Sequence, residues 1–176
     1  LIVMGYANPI HRMGFAAFAK SAAEAGVDGV ITVDLPPEED GPLRRELEAH
    51  GLAVIRLATP TTTEKRMATV AEGSSGFVYY VSVAGVTGAG VGATTDISAG
   101  VEQARRISNL PVAVGFGVRT PEQAAVFARI SDGVVVGSAL VELVREAVEQ
   151  GDPSSAVKSI SVVAKSLSNA IASARI

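Results

Sequence analysis

The sequence predicts an α/β fold in which short parallel strands alternate with helices, about six times over 176 residues. Three observations carry this expectation. Short β-branched runs recur along the whole chain, each followed by a longer stretch of helical periodicity. The runs are apolar almost throughout rather than alternating, as strands covered on both faces are. Two consecutive runs, Val112-Ala113-Val114 and Val134-Val135-Val136, end in glycine and turn at once into a helical pattern.

The elements follow in order. Leu1–Tyr6 reads as a strand and Met13–Ala25 as an alanine-rich helix closed by Gly26. Gly29–Asp34 is a strand, and Glu39–His50 a charged helix stopped by Gly51. Leu52–Leu57 is a strand, followed by a helix from Thr62 to Glu72 with threonines available as caps. Phe77–Ser82 comes next, then a glycine-rich segment through Gly92 and a helix from about Thr95 to Ile107. Val112–Gly115, Pro121–Arg129, Gly133–Val136 and Ala139–Glu149 continue the pattern, and Asp152–Ala174 closes it with a longer helix. Pro121 suits a first helical turn, with Thr120 as its cap. No linker or composition break divides the chain, so residues 1–176 read as one domain.

Composition narrows the function. Hydrophobic residues make up 48% and charged residues 19%, with a mean hydropathy of +0.34, as buried parallel strands require. A net charge of −3 without any Arg/Lys run argues against nucleic acid or an anionic membrane surface as partner. Cysteine is absent, which excludes disulfides, thiolate chemistry and Cys-ligated zinc. His11 and His50 are too few and too far apart for a histidine metal site, so no metal is expected. His11 reads as a loop residue, and His50 as a helix C-terminal residue suited to the dipole. Glu38-Glu39-Asp40 reads as an acidic first helical turn. No apolar run reaches the roughly 20 residues of a membrane span, and the opening LIVMGY has no basic lead-in or cleavage-like signature. A cytoplasmic protein fits all of this.

The glycine exits point to a ligand. Gly115-Phe116-Gly117 and Gly137-Ser138 let backbone N–H groups approach an anion with no Cβ in the way. Each following helix offers its positive end to the same anion. Two such exits on consecutive strands are what a phosphate grip needs at the top of a (β/α)8 barrel, where the last two strands supply it. Each glycine alone also has a plain reading as a turn residue. A barrel takes about 30 residues per βα unit, so this chain holds about six units; counting alone does not separate a barrel from an open sheet.

The residues then resemble a known family. Met4–Pro9 (MGYANP), Ala25–Glu39 (AGVDGVITVDLPPEE), Tyr79–Ala89 (YYVSVAGVTGA), Val114–Gln123 (VGFGVRTPEQ) and Val135–Glu142 (VVGSALVE) are similar, in this order, to segments of tryptophan synthase α subunits. The resemblance covers essentially the whole chain. It implies a (β/α)8 TIM barrel that cleaves indole-3-glycerol phosphate to indole and glyceraldehyde 3-phosphate. It also implies no cofactor in this subunit, and a pyridoxal-phosphate-dependent β subunit as partner in an α2β2 complex. By resemblance, Gly88, Gly117, Gly137 and Ser138 bind the substrate phosphate. Tyr79 hydrogen-bonds near the substrate during proton transfer, or is a core tyrosine. Thr87 lies in Val83–Gly92, the mobile lid of the family, or in a surface loop without a catalytic role. Asp34 stands at a strand's carboxyl end, either at the active site or capping the following turn. Asn8, Pro9 and the Pro36-Pro37 loop face the β subunit in this family; taken alone they are ordinary turn residues.

One departure qualifies the resemblance. The family's two principal catalytic carboxylates come from the second barrel strand and the loop after it, and this sequence starts at what resembles the third strand. The isolated chain is therefore expected to be inactive, since proton delivery and removal need acid–base groups within hydrogen-bond reach. Two absent βα units would leave open sheet edges and an uncovered apolar interior, and truncation of a longer sequence is favoured over pairing with another fragment or rearranged ends. A non-catalytic phosphate-binding or assembly fragment is one alternative. Another phosphate-binding barrel, an isomerase or aldolase, is a second; against a Schiff-base aldolase, Lys20, Lys65, Lys158 and Lys165 all fall on expected helices.

Overall fold

The computed structural model describes residues 1–82 and 91–175, with the backbone alone at 91–96. It divides into two compact bodies, Leu1–Tyr80 with Glu102–Val112, and Val81–Val101 with Ala113–Ile176. The elements are β1 (Ile2–Gly5), α1 (Ala7–Met13), α2 (Phe15–Glu24), β2 (Gly29–Thr32), α3 (Gly41–Ala49), β3 (Ala53–Ala58), α4 (Glu64–Ala71) and β4 (Val78–Val81). They continue with α5 (Val91–Ser108), β5 (Val112–Gly115), α6 (Pro121–Ala128), β6 (Gly133–Val135), α7 (Ser138–Glu149) and α8 (Ser155–Ala174). The alternation expected from the sequence is present. The four lysines lie on α2, α4 and α8.

In the first body, β1, β2, β3 and β4 pair in chain order, all parallel. Strand alternation sorts their side chains. Val30 and Val54 are in register and pack with Ile10, Ala19, Ala22, Leu43, Leu47 and Leu52, the core under α1, α2 and α3. Ile31 and Ile55, also in register, must then face the opposite side. So must Leu57 and its register partner Tyr79. On β1 the corresponding positions, Ile2 and Met4, are 38% and 48% exposed.

The helix expected at Met13–Ala25 is α2, shortened to Phe15–Glu24, and an unexpected short helix, α1, precedes it. α1 ends at Met13, Gly14 takes φ +89, and α2 starts at Phe15. The Asn8-Pro9 pair, which reads as a turn signal, falls in the first turn of α1, where the missing proline N–H costs nothing. His11 accordingly lies in the last turn of α1 rather than in a loop, edge-on to Phe15 at 5.5 Å. His50 is the C-cap of α3, its Nδ1 2.8 Å from the Glu46 carbonyl oxygen. α3 begins at Gly41, so Glu38, Glu39 and Asp40 precede it and do not form an acidic first turn.

In the second body, β5 pairs with β6 in parallel. α8 packs against α6 and α7, and Leu167 joins Val118 and Ala124 in a small core with Phe127, Val134, Val136, Val163 and Ile171 around it. Arg175, just beyond α8, donates to the backbone oxygens of Ser131 and Asp132. Val141, Val144 and Val148 form an exposed stripe on α7. Among the described residues, no helix is long and apolar enough to cross a membrane.

α6 starts as expected, on a full capping box. Gln123 N donates to the Thr120 hydroxyl at 3.3 Å, and Thr120 N donates back to Gln123 Oε1 at 3.3 Å. Backbone hydrogen bonding at Glu122, then the Thr120 hydroxyl, holds the Glu122 carboxyl below the usual range. Replacing Thr120 by alanine should destabilise the chain by about 1 kcal/mol in urea unfolding, while T120S restores most of the loss. Equal stabilities of T120A and the parent would contradict the capping assignment.

Candidate functional site

The second body carries the two glycine exits. β5 and β6 are in register, with Gly115 opposite Val135. Two residues further on, Gly117 and Gly137 therefore leave the same end of neighbouring strands, which in a sheet run about 4.8 Å apart. Phe116 and Gly117 take φ +78 and +81, so the chain makes two successive left-handed steps before the Thr120 cap. For Gly117 this backbone alone accounts for glycine. Phe116 holds the same geometry without that freedom, its side chain 51% exposed.

A buried serine fixes this turn. Ser82 is 2% exposed; its amide donates to the Gly115 carbonyl at 3.0 Å. Its hydroxyl lies 2.8 Å from the same oxygen and 2.9 Å from the Phe116 carbonyl, so one proton is shared between two acceptors. Sequence reading passed over Ser82 as the end of a strand. A small polar residue closing an apolar run just before a glycine-rich segment was the available signal.

Gly137 differs from Gly117. It is the N-cap of α7 at φ −116, ψ −74, without the positive φ that requires glycine, and a Cβ there would meet no atom of the described residues within 4 Å. Among the described residues, nothing in the packing demands glycine at this point. α7 starts one residue earlier than the sequence suggests, at Ser138, so Ser138 presents both its amide and its hydroxyl at a helix N-terminus. Gly117, Gly137 and Ser138 are all exposed. Such an arrangement suits an anion, through unpaired first-turn amides and the helix dipole together.

The first body holds the other candidates. Tyr79 is 4% exposed on β4, on the face that carries Leu57 and Ile55. Burial pushes its phenol pKa up. Asp34 is exposed beyond β2, and its Oδ1 accepts from Ala7 N, the first amide of α1, at 2.7 Å. It thus caps a helix that precedes it by 27 residues, not the turn that follows it. That bond joins the segment bearing Pro36 to the turn bearing Asn8 and Pro9. Asn8 and Pro9 are exposed and Pro36 is half-buried.

Asp34 also lines a cavity of about 320 Å³ with Thr32, Pro36, Arg56, Thr62 and Arg66. Arg66 Nη2 donates to Glu38 Oε2 at 3.1 Å, and this ion pair holds the Glu38 carboxyl below its usual range. Arg56 was not singled out by the sequence reading. It is 7% exposed, and its Nε and Nη2 both lie 2.7 Å from Asp40 Oδ2. A lone arginine in an otherwise apolar strand was the signal for it. Thr87 and Gly88 lie outside the described residues. Among the described residues, no group of three or more His, Cys, Asp or Glu side chains is placed to hold a metal.

A parallel α/β protein of repeated βα units, with glycine exits on its last two strands, is the class these features define. Comparison with known proteins gives the family. The family model for the tryptophan synthase alpha chain matches residues 1–172. The tryptophan synthase alpha chain of Caulobacter sp. (strain K31) is 52% identical over 176 residues, all of this chain and 63% of that one. That of Erythrobacter litoralis (strain HTCC2594) is 61% identical over 146 residues, 83% of this chain and 56% of the relative. Among solved structures, tryptophan synthase subunit alpha from Legionella pneumophila str. Paris superposes with a TM-score of 0.85 at 39% identity, covering 98% of this chain and 62% of that one. The tryptophan synthase a2b2 complex of Pyrococcus furiosus gives 0.81 at 31% identity, over 96% of this chain and 65% of that one.

The chain belongs to the tryptophan synthase alpha-chain family. Its fold is of the (β/α)8 class, with six parallel strands and about six βα units among the described residues. It spans 63% of the length of the Caulobacter relative.

The buried phenol makes a pH-dependent prediction. A raised folded-state pKa means that Tyr79's stabilising contribution is complete below the unfolded value of about 10 and is lost as pH rises through the folded value. Unfolding measured from pH 8 to 11.5 should therefore show a downward slope above about pH 10 that Y79F reduces. An unchanged slope in Y79F would refute the burial-driven shift.

Proposed function

We propose that this chain carries the phosphate-gripping and substrate-closing part of the tryptophan synthase alpha reaction, the cleavage of indole-3-glycerol phosphate to indole and glyceraldehyde 3-phosphate. Gly137 carries the reading. It is a glycine that neither a positive φ nor any neighbouring atom of the described residues requires, set directly before the helix-starting Ser138 and level with Gly117 on the paired strand. An incoming phosphate oxygen supplies the missing reason, because a Cβ would stand between it and the amides.

In this reading Gly88, Gly117, Gly137 and Ser138 hold the phosphate, the last through its hydroxyl as well. Tyr79 is the substrate's hydrogen-bond donor by resemblance, protonated throughout the physiological range because burial raises its pKa. As a neutral donor it orients the substrate hydroxyl. Thr87, outside the described residues, has a supporting role by resemblance. Asp34 serves the partner-facing rim, since its carboxylate is committed to Ala7 N, and Asn8, Pro9 and Pro36 meet a tryptophan synthase β chain there. Pyridoxal phosphate belongs to that β chain, and the complex works in the cytoplasm. The two principal acid–base carboxylates of the family have no counterpart among these residues, so these 176 residues bind substrate without turning it over.

Two measurements test this. Titrating inorganic phosphate into the chain by phosphorus NMR should show binding that S138A weakens about tenfold, the value of one hydrogen bond to a charged group. G137A should weaken it similarly while changing stability by less than about 1 kcal/mol, since its Cβ has room in the free chain. Unaltered binding in both variants would remove the assigned grip. Incubation with indole-3-glycerol phosphate should yield no indole above the uncatalysed rate; turnover would show that the absent carboxylates are dispensable.

A further inference from the structure

A buried ion pair of the first body, Arg56 with Asp40, lies outside every motif. Arg56 projects from β3 toward the helices, on the same face as Val54. Its Nε and Nη2 donate to Asp40 Oδ2, both at 2.7 Å, while Nη1 donates to the carbonyl of Val70 at 3.1 Å and to that of Glu72. One guanidinium therefore ties the last turn of α4 to the residue that precedes α3. Asp40, 4% exposed, occupies the N-cap of α3, where an aspartate ordinarily accepts from its own helix's first amides. Here its side chain makes no capping bond. Its carboxylate is given to Arg56 instead, with Arg44 Nε 3.8 Å from its other oxygen. A local rule is broken in favour of a long-range one, which marks a directional constraint rather than generic helix stabilisation.

The segment 34–40 is thus pinned at both ends. Asp40 is held by Arg56 and by its own amide on the Pro36 carbonyl at 3.1 Å, while Asp34 holds Ala7 N at 2.7 Å. Pro36 and Pro37 lie between these anchors, and Asn8 and Pro9 follow directly on Ala7. We infer that Arg56 and Asp40 are a positioning pair: together they set the placement of the 34–40 segment and, through Asp34, of the Asn8-Pro9 turn, and so shape the rim on which a β chain docks. The identity of the partner rests on the proposed function; the mechanical linkage does not.

Packing and positioning can be separated experimentally. Removing one partner of a buried pair strands the other charge, so D40N or R56M alone loses stability for that reason and does not separate the two roles. The double variant D40L/R56M replaces the pair with apolar side chains, an exchange that buried ion pairs often tolerate, and it removes the directional bonds. Amide exchange followed by NMR and calorimetric binding to a tryptophan synthase β chain are the readouts. D40L/R56M should keep its thermal transition within about 5 °C of the parent. It should lose about tenfold in protection at the amides of Ala7, Glu39 and Asp40, and about tenfold in β-chain affinity. E38Q, which breaks only the exposed pair with Arg66, should leave Ala7 protection within about twofold. Parent-like protection in D40L/R56M overturns the inference, as does failure of that variant to fold, which would make the pair a requirement of the fold itself. If the parent chain does not bind a β chain, the partner assignment fails, and the exchange data still decide the linkage.

Discussion

A guanidinium between a strand and two helices is tolerable only when its charge and its donors are all met. Arg56 meets that condition with Asp40 and with the carbonyls at the end of α4. Once it does, strand alternation leaves little freedom nearby. Ile55 and Leu57 must face away from the helices, and register passes that orientation to Tyr79 on the next strand. A buried polar contact on one side of the sheet therefore fixes which apolar and phenolic groups line the other. Core valines around it could be exchanged for similar volumes at modest cost; the ion pair could not lose one member so cheaply.

The two bodies contribute different chemistry. In the second, backbone geometry dominates: a Phe-Gly step with both φ positive, a serine that fastens it, and a helix start with a hydroxyl. None of this depends on a titratable side chain, so a phosphate held there would feel fixed dipoles at any ordinary pH. In the first body the charged groups are mostly engaged with one another, Glu38 with Arg66 and Asp40 with Arg56.

Periodicity and punctuation made most of the fold legible. The apolar runs of β2, β3 and β5, and Thr120-Pro121 before α6, announce themselves because each depends on neighbours in sequence. The misplaced features all depend on distant groups. Asn8-Pro9 reads as a turn, yet it enters a helix whose first amide is satisfied by residue 34. Glu38-Glu39-Asp40 reads as a first helical turn, yet Asp40 leaves its own helix for an arginine 16 residues away. Ser82 looks like the end of a strand, and only the turn 33 residues further on gives it a task. Of the candidate site, the glycine exits were legible because helix starts and strand ends are local. The link from Asp34 to Ala7, beside Asn8, was not, because it is a hydrogen bond between residues 27 apart.

The borrowed cap of α1 bears on the order in which the chain acquires structure. α1 has seven residues, no side-chain cap of its own at Tyr6 and no acidic residue in its first turn. A helix that short does not persist in water by itself. Its acceptor arrives only when β2 has settled beside β1 and carried Asp34 back toward Ala7. α1 should therefore consolidate after the pairing of β1 with β2, on the native side of the folding barrier, so that substitutions there accelerate unfolding and leave the refolding rate nearly alone.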